Sequence, residues 1–243
     1  MTGQNRADGR TPTEIRPVRL TRDYLSNPEG SCLVEMGRTR VITTATVENT
    51  VPQWLKGAGT GWVTAEYGML PRASGKRTRR PSISFPSGRS LEIQRLIGRS
   101  LRAVTDLAAL GERTVIIDCD VIDADGGTRT ASIIGAAVAL HDAATLLAGS
   151  GATGSHIVRE LVAAVSVGIM PGGAVMVDLC YDEDSNADVD MNIVMTESGR
   201  FVEVQGTAEG TPFDRDTLDS LIEAGQSAVE RIIAIQKTAL GLP

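Results

Sequence analysis

Residues 114–147 read TVIIDCDVIDADGGTRTASIIGAAVALHDAATLL, and this stretch predicts a buried strand, a glycine turn and a long helix. The strand part, 114–122, is mostly apolar and β-branched, as strands buried on both faces are. The helix part, 131–147, is rich in alanine, isoleucine, valine and leucine and contains no proline. Thr128, Thr130 or Ser132 is available to cap that helix. A strand leading through a tight turn into a core helix predicts a fold that combines sheets and helices.

The turn itself, Gly126-Gly127-Thr128-Arg129-Thr130, has the composition of an anion-binding site. Two adjacent glycines let a ligand approach the backbone, and the first amides of a helix have no intrahelical partner. Arg129 adds a planar guanidinium that suits phosphate oxygens. The alternative is an ordinary strand-to-helix turn whose glycines serve only its geometry. We expect an anion to bind here.

The overall composition is that of a soluble globular protein of 243 residues, with 42% hydrophobic and 22% charged residues. Aromatic residues make up only 3%, which predicts an aliphatic core and little stacking on bases. Three widely spaced cysteines favour free buried thiols in a reducing compartment over disulfides or a zinc site. The first residues are polar, and His141 and Asp142 interrupt the longest apolar run. We therefore expect a cytoplasmic protein with a core helix and no membrane span.

The charge is unevenly distributed along the chain. Residues 72–102 contain nine basic residues and only one acidic residue, Glu92, so this segment has a net charge of +8. The net charge of the whole chain is −6, so the remaining residues carry −14. A local basic field on an acidic body is expected of an enzyme that binds a polyanion. The alternative is a solvated loop followed by a helix with one charged face.

The rest of the chain alternates strand-like and helix-like runs. Strands are expected at 31–36, 40–48, 62–70, 161–169, 174–181, 189–196 and 200–206, and helices at 89–106 and 214–239. The segment 74–88 is rich in arginine, serine and proline and predicts a mobile loop. No linker separates the two halves, so the order of elements predicts a single α+β or α/β domain over 1–243, with mixed sheets and a flexible arm at 1–10.

The helix expected at 89–106 has two different faces. Its apolar residues recur at helical spacing and predict the face that packs inward. Arg95, Arg99 and Arg102 fall on the other side, so we expect them to face solvent, a partner subunit or a ligand.

Between Asp178 and Asp190 the chain carries six acidic residues and no basic residue. The pattern resembles a hairpin, with Asp184 in the turn and Asp190 near the start of the next strand, so the two carboxylates could converge across the ladder. Such a pair either binds a cation, for which Mg²⁺ or Mn²⁺ is the natural choice with oxygen ligands alone, or shares a proton. Asp188 lies on the same strand face as Asp190, so alternation does not choose between them. The alternative is a solubilising turn.

Other catalytic motifs do not explain the chain. His141 and His156 have no nucleophile placed beside them by a motif, and no Walker-type glycine loop occurs. The anion turn, the arginine-rich segment and the carboxylate cluster together suit phosphoryl chemistry on a polyanion.

Seven segments carry a resemblance to a known family. They are WLKG at 54–57, GWVTAEYGMLPRA at 61–73, EIQRLIGRSLR at 92–102, GER at 111–113, DCDV at 118–121, DGGTRTAS at 125–132 and FVEVQGTAE at 201–209. Over nearly its whole length the chain resembles bacterial ribonuclease PH. The resemblance implies an α+β fold with a βαβ core like that of ribosomal protein S5 domain 2. It also implies a homohexameric ring that trims the 3′ ends of tRNA precursors by phosphorolysis and releases nucleoside diphosphates.

The resemblance further implies which residues form the site. The phosphate co-substrate would be held by Arg89, Gly127, Thr128 and Arg129. The catalytic aspartates would be Asp184 and Asp190, which would also hold Mg²⁺ or Mn²⁺. The RNA backbone would be guided by Arg72, Arg77, Arg79 and Arg80. Two alternatives stay open, a catalytically silent ring subunit and a metal-dependent hydrolase that releases nucleoside monophosphates.

Overall fold

A computed structural model describes residues 6–78 and 87–243, which form two β-sheets and five α-helices. The strands of the first sheet are β1 (Val18–Arg22), β2 (Gly30–Met36), β3 (Thr39–Glu48), β4 (Trp62–Met69) and β5 (Thr114–Asp123). Those of the second are β6 (Val162–Ile169), β7 (Val175–Val177), β8 (Val189–Thr196) and β9 (Phe201–Ala208). The helices are α1 (Gly88–Ala103), α2 (Leu107–Leu110), α3 (Thr128–Gly149), α4 (Tyr181–Asp184) and α5 (Arg215–Leu240).

The first sheet is mixed and the second is antiparallel. The strand order is β1-β2-β3-β5-β4 in the first sheet, where only β4 and β5 run parallel, and β7-β6-β8-β9 in the second. The α+β fold with mixed sheets and packed helices, which the sequence predicts, is confirmed.

Helix α3 is the core of the molecule and joins the two sheets. It packs on β2 and β3 of the first sheet, on β6 of the second and on α5. Its contact with the first sheet is close, since a Cβ atom at Gly135 would lie 2.4 Å from Cγ2 of Val34. By length and composition α3 could span a membrane, but 78% of its most apolar window is buried inside the protein. An apolar helix of this kind, buried along most of its length, is a core helix.

Two of the three cysteines are buried as the sequence predicts. Cys32 and Cys119 are buried free thiols, whereas Cys180 is partly exposed. Burial raises the pKa of Cys32 to about 12 and also raises that of Cys119, so both thiols stay protonated and unreactive.

The prediction of a hairpin around Asp184 is wrong. The strand predicted at 174–181 is limited to β7, which pairs with β6, and β6 then separates β7 from β8. The chain leaves β7 at Asp178, whose φ of 55° is left-handed, and then forms α4 with Asp184 as its last residue. The ladder therefore does not bring Asp184 and Asp190 together.

The flexible arm expected at 1–10 does not fit residues 6–10, while residues 1–5 lie outside the described part. Arg6 is only 4% exposed and donates hydrogen bonds to the carbonyls of Val177 and Asp178, both at 2.8 Å. A buried guanidinium needs such acceptors, and they hold this segment against the second sheet.

Candidate functional site

The glycine turn leads directly into α3, three residues earlier than the sequence predicts. Gly126 and Gly127 have φ values of 74° and 63°, and Gly127 is the N-cap residue. No side chain caps the helix, contrary to expectation: the Thr130 hydroxyl donates back to the carbonyl of Gly127, and the Ser132 hydroxyl to that of Thr128. The first amides of α3 thus keep their capacity to bind an anion.

Three hydroxyl contacts hold the turn in place. The Thr39 hydroxyl donates to the carbonyl of Gly126 at 2.7 Å and accepts from the amide of Asp125 at 2.9 Å. The hydroxyls of Tyr67 and Thr128 share a buried hydrogen bond of 2.9 Å. Burial raises the pKa of Tyr67, so its phenol stays neutral and brings no negative charge to the turn. The turn is therefore preorganised by the first sheet.

Gly126 also touches the segment that leads to α4. A Cβ atom at this position would lie 2.6 Å from the carbonyl oxygen of Leu179 and 2.7 Å from the amide nitrogen of Tyr181. Only glycine allows this approach of two backbones, which places the start of α3 beside the helix that carries Asp184.

A polar cleft of about 230 Å³ opens at this point, between the start of α3, α4 and the second sheet. It is lined by Arg89, Gly127, Thr128, Arg129, Ser166, Asp184, Asp190, Asn192 and Glu209. All residues predicted to bind phosphate and both predicted catalytic aspartates thus lie around one cleft. The local pattern of the turn had already singled out Gly127, Thr128 and Arg129, and the family resemblance added Arg89 and chose Asp190 over Asp188.

The two aspartates reach the cleft from different elements. Asp184 ends α4, and Asp190 lies on β8 opposite Gly168 of β6. Displacement of water by the surrounding protein raises the pKa of Asp184, and the negative charge of Asp190 raises it further. Arg129 and Arg89 act in the opposite direction and lower it. Asp188, the alternative to Asp190, precedes β8 and does not line the cleft.

The aspartate pair fits a divalent cation that a substrate would help to hold. Within residues 6–78 and 87–243, no group of three or more His, Cys, Asp or Glu side chains is arranged as a metal cage. Mg²⁺ is commonly held by one or two carboxylates together with substrate phosphates. Two like charges in one cleft, with oxygen donors only, match that mode.

Arg129 is oriented by two neighbours that sequence reasoning does not single out for the site. Its Nη1 donates to Oε1 of Gln205 at 3.1 Å and to Oε1 of Glu92 at 3.3 Å, and Gln205 donates to the same Glu92 oxygen at 3.1 Å. This network links α1, β9 and α3, so it fixes the guanidinium at the cleft.

The exposed Arg89, near the start of α1, makes no hydrogen bond or ion pair with any described residue. Its charge lowers the pKa of Asp184, which shows that it contributes to the same field. A cation without a partner beside free helix amides is expected to bind an anion.

Three cleft residues were missed from the sequence: Ser166, Asn192 and Glu209. Asn192 could have been found, because it lies two residues after Asp190 and alternation places both on one strand face. Ser166 is cross-strand partner to Asn192, and Glu209 follows β9. Neither carries a local signal, because strand pairing alone brings them to the cleft.

The predicted RNA-binding arginines are only partly described. Arg72 and Arg77 are exposed, and neither makes a hydrogen bond or ion pair with another described residue. Arg79 and Arg80 lie outside the described residues, as does most of the loop predicted at 74–88.

Two of the three arginines expected to face outward on α1 have partners within the chain. Arg99 pairs with Glu203 at 2.6 Å, while Arg102 lies 4.3 Å from the ring centre of Trp62 and donates to the carbonyl of Val63. The expectation of outward-facing side chains is thus wrong for Arg102 and incomplete for Arg99. Arg95 is exposed as predicted.

Comparison with known proteins gives the same fold. The chain is similar to rice (Oryza sativa) Rrp46, with 20% identity, a TM-score of 0.79 and coverage of 97% of this chain and 100% of that one. It is also similar to an Archaeoglobus fulgidus exosome chain solved with RNA bound to the active site, with 23% identity, a TM-score of 0.79 and coverage of 94% and 91%. An archaeal exosome core chain matches with 22% identity, a TM-score of 0.77 and coverage of 96% and 91%.

The sequence itself matches a described family in two parts. Residues 14–145 match domain 1 of the 3′ exoribonuclease family, and residues 160–228 match its domain 2. The first part ends within α3 and includes the glycine turn, while the second includes both aspartates of the cleft. The chain therefore belongs to the 3′ exoribonuclease family, of the ribonuclease PH type.

Proposed function

We propose that this protein is a phosphorolytic 3′→5′ exoribonuclease similar to bacterial ribonuclease PH, which uses inorganic phosphate and releases nucleoside diphosphates. One observation carries the proposal: a single cleft combines a helix terminus and two arginines suited to an anion with a pair of carboxylates. Membership of the 3′ exoribonuclease family supports RNA as the substrate.

In the proposed reaction, phosphate bound by Arg89, Arg129 and the first amides of α3 attacks the phosphorus of the terminal phosphodiester. A bond forms between a phosphate oxygen and that phosphorus, and the bond from phosphorus to the 3′ oxygen of the preceding nucleotide breaks. The departing oxygen takes up a proton, and the terminal nucleotide leaves as a diphosphate. A phosphate ester is exchanged for an anhydride, so we expect the reaction to be reversible.

The two aspartates have complementary tasks in this proposal. Asp184 and Asp190 would hold Mg²⁺ or Mn²⁺, which when bound neutralises charge on the phosphate oxygens. One of the two carboxyls would help to deliver the proton that the departing 3′ oxygen takes up. The fixed amides and guanidinium groups opposite them supply electrostatic stabilisation.

The substrate we propose is the 3′ end of a tRNA precursor. Arg72 and Arg77, with Arg79 and Arg80, would contact the RNA backbone and give affinity that depends on salt and not on base sequence. The RNA bound in the similar Archaeoglobus fulgidus exosome supports this ligand class. The similarity of this chain to exosome chains also supports assembly into a ring. We propose that the ring is a homohexamer in the cytoplasm.

The test is to incubate the purified protein with Mg²⁺ and a 3′-extended tRNA, with and without inorganic phosphate, and to identify the released nucleotide. We expect diphosphates that appear only with phosphate, and extension of the RNA when a nucleoside diphosphate is supplied instead. Monophosphates released without phosphate would indicate a hydrolase. An absence of release in either tube would indicate a silent ring subunit.

A further inference from the structure

Three arginines near the N-terminus converge on the segment that precedes Asp184. Arg6, Arg10 and Arg16, here called the N-terminal arginine cluster, all contact Asp178 or Glu183 from more than 160 positions away in the chain. Arg6 donates from Nε and Nη2 to the two carboxylate oxygens of Glu183, at 2.7 and 2.6 Å. Glu183 lies in α4 and immediately precedes Asp184, so the Arg6–Glu183 ion pair holds α4 in place.

Asp178 is the centre of these contacts. Its side chain is fully buried and accepts three hydrogen bonds from Arg16, from the backbone amide at 2.7 Å, Nε at 3.0 Å and Nη2 at 2.6 Å. Burial alone would lower the pKa of Arg16, but the hydrogen bonds to Asp178 and the negative charges of Asp178 and Asp125 together raise it, so the guanidinium stays charged. A charge-assisted fork of this kind has little freedom to move.

Arg16 also contacts the glycine turn. Its Nη1 donates to the carbonyl of Asp125 at 2.6 Å, and a Cβ atom at Gly127 would lie 2.8 Å from its Nη2. One guanidinium therefore touches the turn that starts α3 and, through Asp178, the segment that leads to α4.

Asp178 and the residue after it also bond to Ser166, which lines the cleft and is here called its floor. The amide of Asp178 donates to the carbonyl of Ser166 at 2.6 Å, and the amide of the next residue, Leu179, donates to the Ser166 hydroxyl at 3.0 Å. Asp178 adopts a left-handed φ of 55°, a conformation that aspartate tolerates better than most residues other than glycine. The Arg16–Asp178 pair thus joins the phosphate side, the aspartate side and the floor of one cleft.

A buried ion pair is weak evidence for net stability, and in some proteins such a pair is retained because it fixes a conformation. We propose that Arg16 and Asp178 are positioning residues, which set the distance between the phosphate held at the start of α3 and the carboxylate of Asp184. This inference rests on the proposed function. Arg6 has the parallel task of holding α4 through Glu183.

The test compares three lysine variants, each of which keeps the charge and loses the fork. Arg16→Lys and Arg6→Lys alter the cluster, and Arg22→Lys is the matched control. Arg22 forms a similar forked pair with Asp142, with its shortest contact also at 2.6 Å, but that pair lies away from the cleft. For each variant, kcat and KM for phosphate are measured at saturating RNA, together with the melting temperature. Inorganic phosphate binding is measured separately by calorimetry without RNA.

We expect Arg16→Lys to lower kcat at least tenfold and to raise both the KM and the dissociation constant for phosphate, because misplacement of reacting groups by about 1 Å is costly. Arg6→Lys should lower kcat and leave phosphate binding within twofold, because it touches only the aspartate side. Arg22→Lys should change the melting temperature alone.

The inference is overturned if both cluster variants keep kcat and phosphate binding within twofold of wild type, or if their only change is a lower melting temperature. If Arg16→Lys does not fold, Arg6→Lys still decides the outcome through its predicted fall in kcat at unchanged phosphate binding. If the wild-type protein shows no phosphate-dependent activity, the proposed function fails. In that case calorimetry still tests whether Arg16 positions the glycine turn for phosphate. The inference requires Arg16→Lys to bind phosphate more weakly than Arg22→Lys does.

Discussion

Asp184 and Asp190 share one cleft, and the charge of Asp190 adds to the effect of burial in raising the pKa of Asp184. One residue ends a four-residue helix and the other lies on β8, so their meeting depends on the whole second sheet. Two like charges in one cleft disfavour each other, and the charges of Arg129 and Arg89 offset part of that cost. They are expected where chemistry requires them.

Replacement of Asp190 should therefore remove activity and leave binding. We expect Asp190→Asn to lower the rate of phosphorolysis on the order of 10²-fold or more, since it removes a central electrostatic group, with RNA affinity nearly unchanged. Asp188→Asn removes the same charge just outside the cleft and should leave the rate within about twofold. Equal rates for Asp190→Asn and wild type would remove Asp190 from the catalytic site. A separate NMR titration should show a lower pKa for Asp184 in the Asp190→Asn protein.

Arg89 should act on phosphate and not on RNA. Arg89 is exposed beside free helix amides and makes no ion pair with a described residue, so we expect Arg89→Ala to raise the KM for phosphate about tenfold or more. The Kd for a 3′-extended RNA, measured by filter binding, should stay within about twofold. Arg95→Ala removes the same charge from an exposed position on the same helix and serves as the control. A loss of RNA affinity at unchanged phosphate KM would instead assign Arg89 to the RNA path.

Gly126 should tolerate no side chain. Gly126→Ala combines an unfavourable left-handed φ with a Cβ atom 2.6 Å from the carbonyl oxygen of Leu179. Gly57 has a similar φ of 82° and open space around it, so Gly57→Ala measures the conformational cost alone, on the order of 1–2 kcal/mol. We expect a larger loss of unfolding free energy in urea for Gly126→Ala, and lower activity per folded molecule. Equal losses for the two variants would show that the turn does not depend on this close contact.

His141 should make stability fall on mild acidification. Burial lowers the pKa of His141 below its ordinary value of 6.5, and the neighbouring His156 ring, with its centroid 4.5 Å away, lowers it further. Asp142 opposes this and Arg22 adds to it. Because the folded pKa lies below the unfolded one, the unfolded chain takes up a proton first as pH falls through about 6.5. Stability is therefore full above that pH and decreases below it.

The measurement is urea unfolding of wild type and His141→Gln between pH 7.5 and 5.5. We expect the loss of unfolding free energy over this range to be smaller in the variant. Parallel curves for the two proteins would exclude His141 as the cause.

The elements of the fold could largely be predicted because their signals are local. The β-branched run at 114–122 and the apolar run at 131–147 became β5 and α3, and the strand expected at 189–196 matches β8. Helix α3 began earlier than expected because Thr128 and Arg129 could take helical conformations directly after a left-handed Gly127. Periodicity detects apolar residues, so it did not include the polar first turn.

The assembly of the site could not be predicted from local patterns, because strand order decides it. The segments at 175–177 and 189–196 are neighbours in sequence, yet β6 lies between them, which removed the predicted hairpin. The contacts of Arg16 with Asp178 and of Arg129 with Gln205 join residues 162 and 76 positions apart. Family resemblance supplied the proposed catalytic pair, whereas the residues that support it emerged only from the packed structure.

Transfer of labelled phosphate is the most direct test of the account. The protein is incubated with unlabelled 3′-extended RNA, Mg²⁺ and ³²P-labelled inorganic phosphate, and the products are separated by chromatography. Attack by phosphate bound at the start of α3 predicts that the label appears in the terminal phosphate of a nucleoside diphosphate, in the wild type and not in Asp190→Asn. Release of unlabelled nucleoside monophosphate by the wild type would contradict it.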